Sequence, residues 1–272
     1  MDERPIGMFD SGFGGLTVAR AAIDLLPSEH LVYLGDSARY PYGPRTLDEV
    51  RRFSNEIADQ LIAAHDIKML VVACNTATAA ALDELGERLP IPVIGVIQAG
   101  ARALVAATIT GRVGVIGTVG TIGSGAYATA ITTTAPEVHL TSLACPGFVE
   151  FVERGVTSGP EAALLAERLL APMVDAKVDA LLLGCTHYPY LARVISDVMG
   201  RDVVLVSSAD ETAFALARTL RESDLAHPET EERGTQQFVS SGDIRSFVDV
   251  GSRLLGPELV EAERWTPPEQ GA

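Results

Sequence analysis

Lysine is almost absent. Only Lys68 and Lys177 occur in 272 residues, and each stands before an apolar run rather than after one. Ligands of an open α/β sheet bind beyond the carboxyl ends of its strands. Both lysines therefore lie at the wrong rim for a pyridoxal-phosphate Schiff base, and no phosphate-binding loop has its lysine. Positive charge is scarce overall: 21 Lys+Arg stand against 36 Asp+Glu, a formal net charge of −15. That balance argues against direct nucleic-acid binding through a basic surface. Three cysteines, an odd count, do not build a secreted disulfide framework. The five histidines are scattered and offer no three-ligand zinc spacing, so neither metal nor cofactor is expected. No apolar run is long enough to span a bilayer, and no charged-then-apolar leader precedes Ile6. The expectation is a cytoplasmic protein with no membrane partner.

What is present is a regular alternation. Apolar, strand-like runs fall near 5–10, 31–36, 69–74, 92–97, 112–117, 138–144, 179–185 and 203–207. Helical patterns fill 14–26, 46–64, 76–88, 98–109, 123–134, 147–154, 160–175, 189–198 and 209–222. Such alternation calls for parallel sheets with helices on both faces. Phe238-Val239 reads as a late strand, 243–255 as a helix, the polar stretch Arg221 to Gly234 as a linker, and 266–272 as a frayed tail.

The two halves resemble each other. Val113–Thr118 can be laid on Pro5–Asp10, after which Asp10 to Cys74 spans 64 residues and Thr118 to Cys185 spans 67. The fold class expected is α/β, with two pseudo-symmetric parallel-sheet domains and the active site in the cleft between them. The domain boundaries expected are 1–97 plus 208–265, then 98–207, with 266–272 as tail.

Two strand ends carry reactive groups. Leu70-Val71-Val72-Ala73 leads to Cys74-Asn75-Thr76, and Leu181-Leu182-Leu183-Gly184 leads to Cys185-Thr186-His187. Cys74 precedes good helix N-cap residues, and a helix N-terminus is expected to lower its pKa. His187 is placed to orient or protonate what Cys185 handles. Asp10 shares the rim with Cys74 and can relay a proton there. Gly12-Phe13-Gly14-Gly15 misses the dinucleotide spacing and instead lets backbone approach a small ligand. Asp36-Ser37 with Pro41-Tyr42-Gly43 forms a second rim loop, and Thr118 with Thr121 a third. Their amides and hydroxyls suit a carboxylate. Two thiols on matched strand ends fit one reaction: one base removes the proton beside a carboxylate while an acid on the opposite face delivers another. A water-poor site with Asn75, Thr76 and Thr186 would stabilise the carbanion.

These segments resemble those of the glutamate racemases, in the cofactor-independent aspartate/glutamate racemase superfamily. The carrying blocks are Phe9–Leu16, Gly35-Asp36-Ser37 with Pro41-Tyr42-Gly43, Ala73–Ala77 and Gly184–Pro189, in order, within a likeness that runs over about 5–255. The resemblance implies interconversion of L- and D-glutamate without a cofactor, supplying D-glutamate for peptidoglycan. It implies that Cys74 deprotonates the D-isomer with help from Asp10, and that Cys185 acts on the L-isomer with help from His187 and Glu153. Ser11, Pro41, Tyr42, Gly43, Asn75, Thr76, Thr118, Thr121 and Thr186 would hold the substrate. It further implies a C-terminal segment returning to the first domain, a homodimer and, by family analogy only, a contact with DNA gyrase. Three rivals stand beside this reading: a racemase for aspartate or another amino acid on the same two-thiol scaffold, a non-catalytic regulator such as a gyrase-binding protein with buried structural cysteines, and a decarboxylase of the same superfamily.

Overall fold

The computed structural model describes residues 2–228 and 232–268. Parts of the expected linker (229–231) and tail (269–272) lie outside the described residues. Strands and helices alternate as β1 (Ile6–Asp10), α1 (Leu16–Leu25), β2 (Leu31–Gly35), α2 (Leu47–His65), β3 (Met69–Val72), α3 (Asn75–Arg88), β4 (Val93–Gly95) and α4 (Val96–Ala107). There follow β5 (Arg112–Gly117), α5 (Val119–Gly123), α6 (Ala126–Thr134), β6 (His139–Ala144), α7 (Phe148–Glu153), α8 (Pro160–Asp175), β7 (Ala180–Gly184), α9 (Ala192–Met199), β8 (Val204–Ser207) and α10 (Ser208–Glu222). The chain ends with β9 (Gln236–Ser240), α11 (Ile244–Leu255) and β10 (Glu263–Arg264). It forms two compact units, one from Met1–Val96 with Thr212–Ala272, the other Ile97–Glu211. No helix among the described residues is long and apolar enough to cross a membrane.

The first unit holds a six-stranded sheet in the order β10-β9-β2-β1-β3-β4, and the second a four-stranded sheet in the order β6-β5-β7-β8. All pairings are parallel. Take away β9 and β10 and the two orders are the same, which is the duplication expected from the sequence. The alignment of the halves needs one correction. Phe9 pairs with Val72, two residues before Cys74, and Ile116 pairs with Leu183, two residues before Cys185. Asp10 therefore corresponds to Gly117, and Ser11 to Thr118. Spacing between landmarks had matched Asp10 with Thr118, because loop-length differences between the halves hide a one-residue shift that only strand pairing reveals.

The strands read as near-continuous apolar runs because helices cover both faces; β1, β2, β3 and β7 are buried at every position. In the first unit Phe9, Val32, Leu34, Leu70 and Val72 pack against Val50, Phe53, Ile57 and Leu61 of α2. Each fully buried aliphatic or aromatic side chain contributes on the order of 2 kcal/mol. Helix α2 starts at a capping box, in which Thr46 Oγ1 accepts from the Glu49 amide and the Glu49 carboxylate accepts from the Thr46 amide; it stops where Asp66 turns left-handed at φ 48°. Of the two lysines, Lys68 is fully buried before β3, ion-paired with Glu29 at 2.6 Å and donating to the Asp2 carbonyl at 2.7 Å. Strand β9 pairs with β2, and β10 extends the sheet beyond it. The two residues of β10 carry no strand pattern of their own and were read as neither helix nor strand in the sequence.

Candidate active site

In both sheets the chain reverses its direction of growth beside the first strand. The crevice between β1 and β3, and its counterpart between β5 and β7, are the topological switch points where α/β sheets take ligands. Cys74 and Cys185 lie beyond the carboxyl ends of β3 and β7 at these two points, 5% and 7% exposed. All three cysteines are free thiols.

The first unit gathers Asp10, Ser11, Tyr42, Cys74, Asn75 and Thr76, all buried, with Pro41 and Gly43 half-buried beside Tyr42. Cys74 is the N-cap of α3, its sulfur accepting from the Ala77 amide at 3.5 Å. The helix was expected to lower this thiol's pKa. Instead burial, and then the charge of Asp10, push it up to about 12, outweighing the Ala77 amide. The thiol therefore rests protonated. Asp10 is fully buried, and its Oδ2 accepts from the Gly12 amide at 3.0 Å. Burial raises the Asp10 carboxyl above its ordinary range, against the pull of the Gly15, Gly12 and Ser11 amides and of the Cys74 thiol. Packing alone requires glycine at two positions of the glycine run. A Cβ on Gly15 would stand 2.6 Å from the Asp10 Cβ, and one on Gly12 2.9 Å from the Tyr40 ring.

The second unit gathers Thr118, Thr121, Cys185, Thr186 and His187. Cys185 Sγ lies 3.8 Å from His187 Nδ1. A 3-10 turn, Tyr188–Leu191, precedes α9 here, so the expected helix over 189–198 begins differently; Pro189, with no amide hydrogen, suits this turn. Thr118 caps the short helix α5, accepting from the Thr121 amide at 3.2 Å and donating to Thr121 Oγ1 at 2.9 Å. Glu153 closes α7 at an exposed position. Helix α7 packs on the turn after His187 through the edge-to-face contact of Phe148 with Tyr188 at 5.3 Å.

The half-sites match in thiol and hydroxyl but differ in their acid–base partner. The first has Asp10 where the second has Gly117, and the second has His187 where the first has Thr76. Two residues near Cys185 went unread in the sequence. Tyr127 and Tyr188 are buried, and burial followed by the charge of Cys185 pushes both phenols well above their usual range. Tyr188 follows His187 directly and donates to the Cys145 carbonyl at 3.1 Å. Cys145 itself is buried, with its thiol raised to about 12 by burial.

Burial lowers the His187 imidazole to about 4, so the ring is neutral at neutral pH. Its ordinary value is about 6.5. Between about 6.5 and 4 the unfolded chain binds a proton that the folded chain refuses, so this residue makes stability fall as pH falls across that window and level off below it. His187→Gln is expected to lose that slope, narrowing the wild-type-minus-variant stability difference by up to about 3 kcal/mol from pH 6.5 to pH 4. Urea unfolding at a series of pH values checks this; parallel curves for the two proteins would refute it.

Residues 16–216 match the sequence profile of the Asp/Glu/Hydantoin racemase family. A glutamate racemase from Parafrankia sp. (strain EAN1pec) is 51% identical over 260 residues, covering 96% of this chain and 94% of that protein. The crystal structure of glutamate racemase from Francisella tularensis subsp. tularensis SCHU S4, in complex with D-glutamate, is 35% identical and superposes with a TM-score of 0.91 over 99% of this chain and 100% of that one. A glutamate racemase isoform from Bacillus anthracis is 39% identical, with a TM-score of 0.89 over 99% of each chain. The chain belongs to the Asp/Glu/Hydantoin racemase family, among its glutamate racemases.

Proposed function

We propose that the protein interconverts L- and D-glutamate by proton transfer between two thiols. The observation that carries this reading is the equivalent position of Cys74 and Cys185, each two residues beyond a paired strand residue at a switch point. Starting from D-glutamate, the Cys74 thiolate takes the α proton: the C–H bond breaks, an S–H bond forms, and the electron pair passes into the adjoining carboxylate. Cys185 delivers its proton to the opposite face and becomes the thiolate. The reverse reaction exchanges the roles. Proton transfer alone closes the balance.

A thiol resting near 12 is a poor base until its proton leaves. Asp10, whose basicity is raised toward that of the thiol, takes this proton on the Cys74 side. Neutral His187, which resists protonation, orients the Cys185 thiol from 3.8 Å rather than taking its proton, and Glu153 lies on the helix that packs against the turn after His187. Ser11, Pro41, Tyr42, Gly43, Asn75, Thr76, Thr118, Thr121 and Thr186 hold the substrate, with amides and hydroxyls set against its carboxylates and the developing charge. We place the reaction in the cytoplasm, in a homodimer, with D-glutamate passing to peptidoglycan synthesis. The relatives named glutamate racemase and the D-glutamate bound in the Francisella structure support glutamate over aspartate.

The test is turnover of single enantiomers in deuterium oxide without added cofactor. The optical rotation of L- and of D-glutamate should each decay to zero, with α deuterium in the product, while aspartate stays unchanged. Glutamate that keeps its rotation, or aspartate racemised as fast, would sink the assignment.

A further inference from the structure

Asp36 follows β2 and is the fully buried hub of a loop that the proton chemistry does not use. Its amide donates to the Asp10 carbonyl at 3.0 Å. Its Oδ2 accepts from Arg39 Nε at 2.7 Å and from the Tyr42 hydroxyl, and its Oδ1 accepts from Ser241 Oγ at 2.6 Å. Ser241 Oγ in turn accepts from the Ala38 amide at 2.9 Å. The Arg39 guanidinium lies over the Phe53 ring at 4.2 Å and the Trp265 ring at 5.3 Å, and pairs with Glu56. Residues 36–42 are thus fixed from three sides: by α2, by the residue after β9, and by Trp265 after β10. The equivalent residue in the second unit is Cys145, which offers a carbonyl to Tyr188 and no carboxylate. Burying a carboxylate is costly unless its acceptor sites are filled, and here all three side-chain donors converge on the loop that bears Pro41, Tyr42 and Gly43. Burial and the Asp36 charge keep the Tyr42 hydroxyl protonated, and so a donor.

We propose that Asp36 is a positioning residue: through Tyr42, Arg39 and Ser241 its carboxylate locks the Pro41–Tyr42–Gly43 loop onto the C-terminal segment and so sets how tightly substrate is held on the Cys74 side. The inference rests on the racemase reading above. It also ties the C-terminal segment to the site through Ser241 and Trp265.

The test uses full-length Asp36→Asn, Ser241→Ala and Ser241→Thr, with steady-state kinetics from both enantiomers and amide hydrogen exchange over residues 38–46. Asp36→Asn should raise KM for L- and D-glutamate about tenfold or more, the effect of removing a charged acceptor from a buried network. Its kcat should stay within about threefold, since a uniform binding loss leaves chemistry alone. Ser241→Ala should give a smaller rise of the same kind, and Ser241→Thr, which restores the hydroxyl, should reverse it. Exchange over 38–46 should quicken in the first two variants. If Asp36→Asn does not fold, Ser241→Ala decides alone. Folded variants with wild-type KM and wild-type exchange overturn the inference, as does a fall in kcat with KM unmoved. A wild type inert toward glutamate would instead sink the racemase reading and this inference with it, whereas unaltered variants of an active wild type sink only this one.

Discussion

Cys74→Ala and Cys185→Ala should each abolish racemisation, by a factor of about 10³ or more, while each retains hydrogen exchange with solvent at one enantiomer only. In the proposed mechanism, removing one thiol takes away the acid that completes the turnover in one direction and the base that begins it in the other. A positioned acid or base contributes about 10² to 10⁴ in rate, and alanine leaves no weaker substitute. On that mechanism the surviving thiol would still face one side of the α carbon. It can remove that proton, exchange it with solvent and return deuterium to the same face, so the configuration is kept. With Cys74 gone, deuterium should enter L-glutamate through Cys185; with Cys185 gone, it should enter D-glutamate through Cys74. Each replacement removes one buried sulfur and should cost on the order of 1 kcal/mol of stability, too little to unfold the protein, which circular dichroism would check. Proton NMR of the α position, combined with chiral analysis, reads exchange and inversion separately. Equal exchange into both enantiomers by either variant would mean a single base reaching both faces, and full racemisation by either would remove the mechanism altogether.

The strand ends that carry the two cysteines were legible in the sequence. Leu70–Ala73 and Leu181–Gly184 are apolar enough to be read as buried parallel strands, and a parallel strand has only one end at which a ligand can sit. The position of Cys74 and Cys185 at equivalent strand ends followed directly. The electrostatics of the thiols were less legible. The amide field of α3 on Cys74 could be inferred from Asn75 and Thr76, but the depth of burial that overrides it could not, because desolvation depends on everything packed around the sulfur. The alignment of Asp10 with Thr118 failed for a related reason: spacing counts loop residues, and only the pairings of Phe9 with Val72 and Ile116 with Leu183 fix the level of each strand end. The Asp36 hub was out of reach. Arg39 and Tyr42 are close in sequence, but Ser241 and Trp265 come from a segment whose place in the sheet is set by pairing of β9 with β2. Periodicity marks a strand and a helix in that segment but does not say which half of the chain they pack on.

Asp10→Asn should lower kcat by about 10² to 10³ in both directions, within the range for loss of one positioned proton carrier. Two effects of this change oppose each other, and their sign separates relay from repulsion. The Asp10 charge raises the Cys74 thiol, so neutralising it eases ionisation of the sulfur and by itself would speed the half-reaction. Against this, asparagine cannot take the thiol proton. The shape is preserved, and the amide oxygen can still accept from Gly12 as Asp10 does at 3.0 Å. The relay is expected to outweigh repulsion, because a thiol held near 12 has under about one thiolate in ten thousand at pH 7 and partial relief of that value leaves the thiolate scarce. The enantiomers are mirror images with an equilibrium constant of one, so kcat/KM must fall equally from either side. The asymmetry appears instead in isotope flow: Cys185, with His187 intact, should wash deuterium into L-glutamate faster than inversion, whereas in D-glutamate exchange and inversion should both be slow. A variant as fast as the wild type, or faster, would show that Asp10 touches Cys74 only through its charge, and the carboxylate relay would have to be abandoned.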